Sequence, residues 1–363
     1  MCIRDRIFGL ALLTKVNAML LPLALWPWGL YFHRRRALRA ILSMCTAGPV
    51  IFFVGWPWLW MHPVGNFAEY IIDKFPRGFL PSFVLKWTGT EEIGWRTVAR
   101  TLYFGKVDPG GAPWHYPFVM FFITLPAAAL LGGVASFVAA KRSPQKRGLA
   151  ALLWWSILVQ LAVFAFLMTP FDGLRLFLPV LPLAAMAAGM GLSWLGGRGR
   201  LALAAVLVVT ALSPGVEFFM YEPYGMSYFS PLVGALPGAE RLGMEVTYYG
   251  EAVAPEGLVA INSRATAGEK VAYGPMFKEL PWRMPYEYIR NGHLKLGLEA
   301  AAPWEDWDYF IFINRGGNID ESDIANLARG EVIHENRLLG VTLSKILARK
   351  RVSQGGHDAS GLD

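Results

Sequence analysis

Ile7–Tyr31 reads IFGLALLTKVNAMLLPLALWPWGLY, an apolar run long enough to cross the roughly 30 Å hydrocarbon core of a bilayer. The run nonetheless holds Thr14, Lys15 and Asn17. A lysine inside a span costs roughly 2.5–3.5 kcal/mol on insertion scales. It therefore faces a protein interior, a wet cavity or an anionic partner, or else it snorkels to the interface.

Further stretches of spanning length follow at Ala37–Trp60, Tyr116–Ala140, Gly148–Thr169, Gly173–Gly196 and Leu201–Tyr221. With 54% hydrophobic and 14% aromatic residues, the 363-residue chain is too apolar for an ordinary soluble, collagen-like or disordered protein. The pattern predicts a polytopic α-helical membrane protein of about six spans over 7–221, with an outer loop at 61–114. Composition turns mixed over 222–363, where a small extramembrane α/β domain is expected. Its strand candidates are Leu258–Ile261, Lys270–Tyr273 and Asp308–Ile313, and its helical patterns lie at Ile319–Ala328 and around Ala239–Ala252.

The formal charge of +7 is unevenly placed. His33 and Arg34–Arg36 with Arg39, then Lys141, Arg142, Lys146 and Arg147, then Arg198 and Arg200, occupy alternate connections. Lys and Arg flanking short loops are retained on the cytoplasmic side, so the remaining connections and the C-terminal domain are expected outside, on the periplasmic face of a bacterial inner (plasma) membrane. Charge that sets topology gives no reason to invoke nucleic acid as a partner. Met1–Arg6 reads as the translation of a sequencing-adapter end, and residues 1–6 are set apart from the fold for that reason.

At the entry to the outer loop, Trp56–Trp60 (WPWLW) reads as an interfacial aromatic belt. Phe67–Lys74 has the pattern of an amphipathic helix with Glu69 and Asp73 on its polar side. Beyond it, Trp114-His115-Tyr116 and Phe171–Pro182 (FDGLRLFLPVLP) reach the same outer surface. Lys15 is suited to holding a phosphate as a point charge. Asp172 and Arg175, three apart at a helix start, can pair or face a head group together; the plain alternative is a helix cap with an interfacial anchor. His115 can move a proton near neutral pH and Tyr116 can stack on a sugar ring, although interfacial aromatics also serve as anchors. Glu69 is either a binding carboxylate or the wet face of its helix. The longest distinctive string, from Ser227 to Glu251, is dense in aromatics and glycine.

Two cysteines, one of them Cys45 within a span, support neither a disulfide framework nor a Cys-rich metal site. No Walker loop, HExxH, GxSxG or metal-spaced His/Cys set occurs, so nucleotide hydrolysis and protease chemistry lose their usual support. Metal dependence and acceptor identity are left open by the sequence.

The strings LLTKVNAMLLPLAL, WPWLWMHPVGNFAEY, PWHYPFVMFFITLP, FDGLRLFLPVLPLAAM and LVGALPGAERLGMEVTYYGEA resemble the C-terminal two-thirds of bacterial GT-C class membrane glycosyltransferases, in the protein-mannosyltransferase and aminoarabinose-transferase superfamily (glycosyltransferase family 39-like). The resemblance implies transfer of a sugar from a polyprenyl-phosphate carrier in the membrane lipid to an acceptor on the outer side. It also implies that cationic residues, here Lys15 and Arg175, line the lipid-phosphate cavity. The family's acidic catalytic motif lies in a first outer loop that no part of this chain matches, so the general base is expected to be absent from this chain and the chain alone inactive. A transporter or lipid flippase, and a non-catalytic envelope protein, are the alternative readings.

Overall fold

The computed structural model describes residues 3–14, 18, 20–74, 100–108, 112–167, 173, 175, 178–248, 250–275 and 282–350. Two compact units divide the chain. The first comprises Met1–Tyr103, Val107–Met220 and Tyr228–Ala235; the second comprises Phe104–Lys106, Tyr221–Ser227 and Leu236–Asp363.

The first unit is helical, and several of its helices are shorter than the apolar runs that form them. Ile7–Tyr31 is divided between α1 (Ile3–Thr14) and α2 (Leu21–His33). The Thr14 hydroxyl bonds the Ala11 carbonyl at the end of α1, and Pro22 in the first turn of α2 starts a new helix. α3 (Arg35–Gly55) stops short of Trp60, because Pro57 has no N–H to continue the ladder and instead opens the short α4 (Trp58–Met61). The expected amphipathic helix is present as α5 (Pro63–Lys74), and the same 61–114 connection also forms a hairpin of β1 (Thr101–Tyr103) and β2 (Lys106–Asp108).

Tyr116–Ala140 is likewise two helices, α6 (Tyr116–Ile123) and α7 (Ala127–Lys141), bent by 108° at a break that contains Pro126. α8 (Pro144–Phe166), α9 (Val180–Gly196) and α10 (Arg200–Tyr221) complete the unit. Among the described residues three helices, Ala37–Gly55, Pro144–Phe166 and Arg200–Tyr221, are long and apolar enough to cross a membrane, or four if α6 and α7 count as one span. About six spans were expected, and three or four are found among the described residues. Hydropathy counts apolar residues and is insensitive to the prolines and backbone-bonding hydroxyls that end a helix.

Small residues let these helices approach closely. A Cβ on Gly132 of α7 would stand 2.6 Å from the Ala188 carbonyl of α9, and one on Gly191 would stand 2.6 Å from the Ser136 nitrogen. Ala184, Ala187 and Ala188 on α9 and Ser136 and Ala139 on α7 are all buried. Such crossings gain stability from dispersion between backbones, the usual device where lipid offers no hydrophobic driving force. Trp154 of α8 closes over the pair, with its Nε1 donating to Ser136 Oγ at 3.0 Å and its ring stacked on Phe137 at 4.9 Å. α1 packs on α3 by the same means, with Gly48 against Phe8 and Gly9 against Ile51, around a core of Phe8, Leu12, Met44, Phe52 and Leu59.

The second unit holds a five-stranded sheet in the order β4-β3-β5-β7-β6. Here β3 is Lys270–Gly274, β4 Glu299–Ala300, β5 Tyr309–Ile313, β6 Gly330–Leu338 and β7 Val341–Arg349. β3 runs parallel to β4 and β5, while β7 runs antiparallel to β5 and β6. The central strand YFIFI is buried at every position, as a strand covered on both faces must be. Its expected position holds, as does that of β3 and of the helix near Ile319–Ala328, which is Glu321–Arg329 (α14) with an Asp320–Asp323 capping box.

Two expectations fail in this unit. Leu258–Ile261 is not a strand but part of the helix Pro255–Arg264 (α12), which Pro255 opens and which buries Leu258 and Ile261 three residues apart. The helix around Ala239–Ala252 is only Ala235–Arg241 (α11), because Gly243 (φ +68°) leaves helical geometry, and Gly250–Ala252 is a single 3₁₀ turn. The remaining helix, α13, is Arg283–Arg290.

Candidate functional site

Three of the site residues expected from sequence are gathered at the Phe166 end of α8. The β1–β2 hairpin brings Tyr103 to the start of α6, where its hydroxyl lies 2.8 Å from His115 Nδ1. Burial pushes the Tyr103 hydroxyl up to about 12, so it stays protonated at neutral pH. The two groups share one hydrogen bond, whose donor is set by the His115 tautomer. The Tyr103 ring meets Tyr116 edge to face at 5.1 Å, and exposed Trp114 stacks on Phe166 at 5.8 Å.

Tyr116 is almost fully buried and its hydroxyl accepts the Gly173 N–H at 2.9 Å. Gly173 has φ +61°, a conformation that side-chain-bearing residues rarely adopt. The bond ties the segment carrying Arg175 to the N-terminus of α6, so two strings far apart in sequence meet. Arg175 is exposed two residues beyond that tie. Lys15 and Asp172 lie outside the described residues. Glu69 is half-buried on α5, and no hydrogen bond or ion pair among the described residues joins it to the His115 cluster.

The basic connections meet at the opposite end of α8. Trp28 of α2 donates from Nε1 to the Gly148 carbonyl at 2.7 Å, which brings the 33–39 connection against the 141–148 connection. Arg142 and Arg198 sit over the ring of Trp194 at 5.4 and 4.2 Å, which adds the third connection. α8 has 23 residues, so at 1.5 Å per residue roughly 34 Å separates the cationic end from the aromatic one.

Two further groupings went unread in the sequence. Glu217 is buried in α10, where the Ser213 hydroxyl donates to Oε1 at 2.7 Å and the Tyr228 hydroxyl donates to Oε2. Its only signal was a lone carboxylate in an apolar helix with a serine one turn before it. In the second unit, Tyr273 near the end of β3, Tyr288 of α13, Glu251 and Arg315 interact around Gly250, from whose absent Cβ the Tyr288 and Tyr273 hydroxyls would stand 3.4 and 3.6 Å. Burial raises Tyr273 well above its ordinary value, with smaller additions from Tyr288 and Glu251. Burial and then Glu251 raise Tyr288 to about 12. Buried Arg315 donates from Nη1 to the Tyr248 carbonyl at 2.9 Å, and Glu245 Oε1 accepts the Gly317 N–H at 3.0 Å. The four residues come from separate segments, so no local spacing announces them.

Among the described residues, no group of three or more His, Cys, Asp or Glu is placed to hold a metal ion. The arrangement in the first unit offers a fixed imidazole, stacking aromatics and an exposed guanidinium at one end of the helices. No protein-family profile, curated protein or solved structure matches the chain.

Proposed function

We propose that the chain is part of a membrane glycosyltransferase, binding a polyprenyl-phosphate-linked sugar at the Phe166 end of α8 and presenting it to an outer-side acceptor. The observation that carries this reading is the Tyr116–Gly173 hydrogen bond, which joins the His115-Tyr116 string to the one holding Asp172 and Arg175. In the transfer, charge develops on the departing lipid phosphate, and positioned cations stabilise it. Arg175, with its forked donors, is assigned to that phosphate, and Lys15 is assigned to it as a point charge. His115 presents Nε2 to a phosphate or sugar oxygen while Tyr103 holds its Nδ1. Trp114 stacks on the sugar ring. The general base is not assigned to any residue of this chain, and turnover by the chain alone is not expected.

The proposed setting is a bacterial plasma membrane, with the basic connections inside and the second unit outside. The location of the cationic connections at one end of α8, away from the His115 cluster, supports that orientation.

The test is binding of a short-chain polyprenyl-phosphate sugar to the detergent-purified chain by equilibrium dialysis. Saturable binding is expected, weakened roughly 10- to 100-fold by Arg175→Ala, the range for losing a hydrogen bond to a charged group. Absence of binding, or wild-type binding by Arg175→Ala, overturns the reading.

A further inference from the structure

A second site lies at the cationic end of the first unit. A cavity of about 250 Å³ separates α2 from α3, lined by Leu25, Trp26 and Gly29 on one helix and by Ala40, Ile41 and Met44 on the other. The lining follows helical spacing on both sides, so two apolar stripes face each other outward from the joint at Arg34. That joint is a single residue with φ +38°, and His33, also in the cavity lining, stands at its mouth. The volume lies just below the roughly 300–1,000 Å³ of pockets that enclose whole soluble ligands. It suits a segment of an alkyl chain whose remainder runs along the outside of the helices.

The rim is as charged as the interior is apolar. His33, Arg34, Arg35 and Arg39 are exposed, and the sequence has no Asp or Glu between Asp5 and Glu69 to neutralise them. Through the Trp28–Gly148 bond the adjacent connection adds Lys146 and exposed Arg147.

We infer that this groove binds one anionic phospholipid, with an acyl chain between α2 and α3 and the phosphate on the His33–Arg35 rim. Basic pockets between helices on the cytoplasmic side are a recognised setting for acidic head groups. A free anion has no use for the apolar groove, and a neutral lipid has none for the cations. The site lies at the other end of the helices from the proposed sugar donor. It rests on the membrane reading of these helices and is independent of the glycosyl-transfer reading.

The test uses the full chain in nanodiscs of equal phosphatidylglycerol and phosphatidylcholine, with retained lipids counted by native mass spectrometry. One phosphatidylglycerol per chain is expected, favoured about tenfold or more over phosphatidylcholine. Each surface cation contributes about fivefold to acidic-lipid attraction, so Arg34→Gln with Arg35→Gln is expected to remove most of the preference. Ala40→Phe, which fills the groove and leaves every charge in place, is expected to lower retention of both lipids. Equal retention of the two lipids by the wild type overturns the site, as does displacement by millimolar inorganic phosphate. An equal loss on changing Lys141 and Arg142 to Gln, neither of which lines the groove, also overturns it in favour of diffuse surface charge. Arg175→Ala is expected to leave phosphatidylglycerol retention unchanged, which separates failure of this site from failure of the donor site.

Discussion

The two ends of α8 are held together by different kinds of contact. At the Pro144 end, cations from three connections are exposed, and two of them, Arg142 and Arg198, share the face of Trp194. At the Phe166 end, Tyr103, His115, Tyr116 and Gly173 are joined by individual hydrogen bonds with buried partners. A charge sum tolerates exchange of its members, because no single geometry carries it. A buried hydrogen bond does not, because each lost partner strands another group. The cationic end is therefore robust to single changes, and the aromatic end is brittle.

The strongest challenge to that contrast is to disturb both ends at once. Gly191→Leu drives a side chain into the backbone of Gly132 and Ser136, atoms that cannot rotate aside. A loss of about 3 kcal/mol or more is expected, at the upper end for overpacked interiors, read as a large fall in Tm in detergent; an unchanged Tm would sink the close-crossing account. Tyr116→Phe is next, and acts at one end only. It leaves the Gly173 N–H without its acceptor, an expected cost of about 1–3 kcal/mol, with faster amide exchange at Gly173 and no change around Trp194.

Trp194→Leu probes the other end. It removes two exposed cation–π contacts worth about 0.5–1 kcal/mol each, and amide exchange at Gly173 should not respond. If Trp194→Leu proves more damaging than Tyr116→Phe, the contrast between robust and brittle ends is wrong.

A last effect, of similar size to that of Trp194→Leu, leaves both ends untouched and lies in the second unit. Burial lifts the Asp323 carboxyl from 3.8 to about 6, with lesser contributions from Asp320. Its folded pKa exceeds its unfolded one, so its contribution is fully present below about pH 4 and is lost as pH rises through about 6. Wild-type stability should decline over that window by on the order of 1–2 kcal/mol, after allowing for solvent screening. Asp323→Asn should abolish that decline. Melting curves at pH 4 and pH 7 decide the matter, and equal pH responses in the two proteins would refute it.

Much of this organisation was visible in the sequence. Ordered runs such as Tyr309–Ile313 declare themselves, because continuous β-branched and aromatic residues have one good solution in a small domain. The Asp320 cap marks the start of its helix in the same way. The hairpin of β6 and β7 was missed because register shifts at Val332/His334 and Asn336/Arg337 break the alternation that identifies a strand. Its turn, Leu339-Gly340 with both φ positive, lacks the usual Asn or Asp. At the candidate site, the residue types at His115, Tyr116 and Arg175 were legible, but their meeting was not. That meeting depends on the Tyr116 hydroxyl reaching a backbone N–H 57 positions away in the sequence.

The Gly132–Gly191 crossing also acts as a fulcrum. On α7 it lies nine residues from Lys141 and five from Ala127, arms of about 14 and 8 Å; on α9 it lies eleven residues from Val180 and five from Gly196, about 16 and 8 Å. A rotation of one helix against the other thus swings Lys141 or Val180 about twice as far as the opposite tip. One long arm leads to the connection with Arg142 and the other to the segment with Arg175, so a tilt of a few degrees at two glycines would be converted into displacement of two cationic segments.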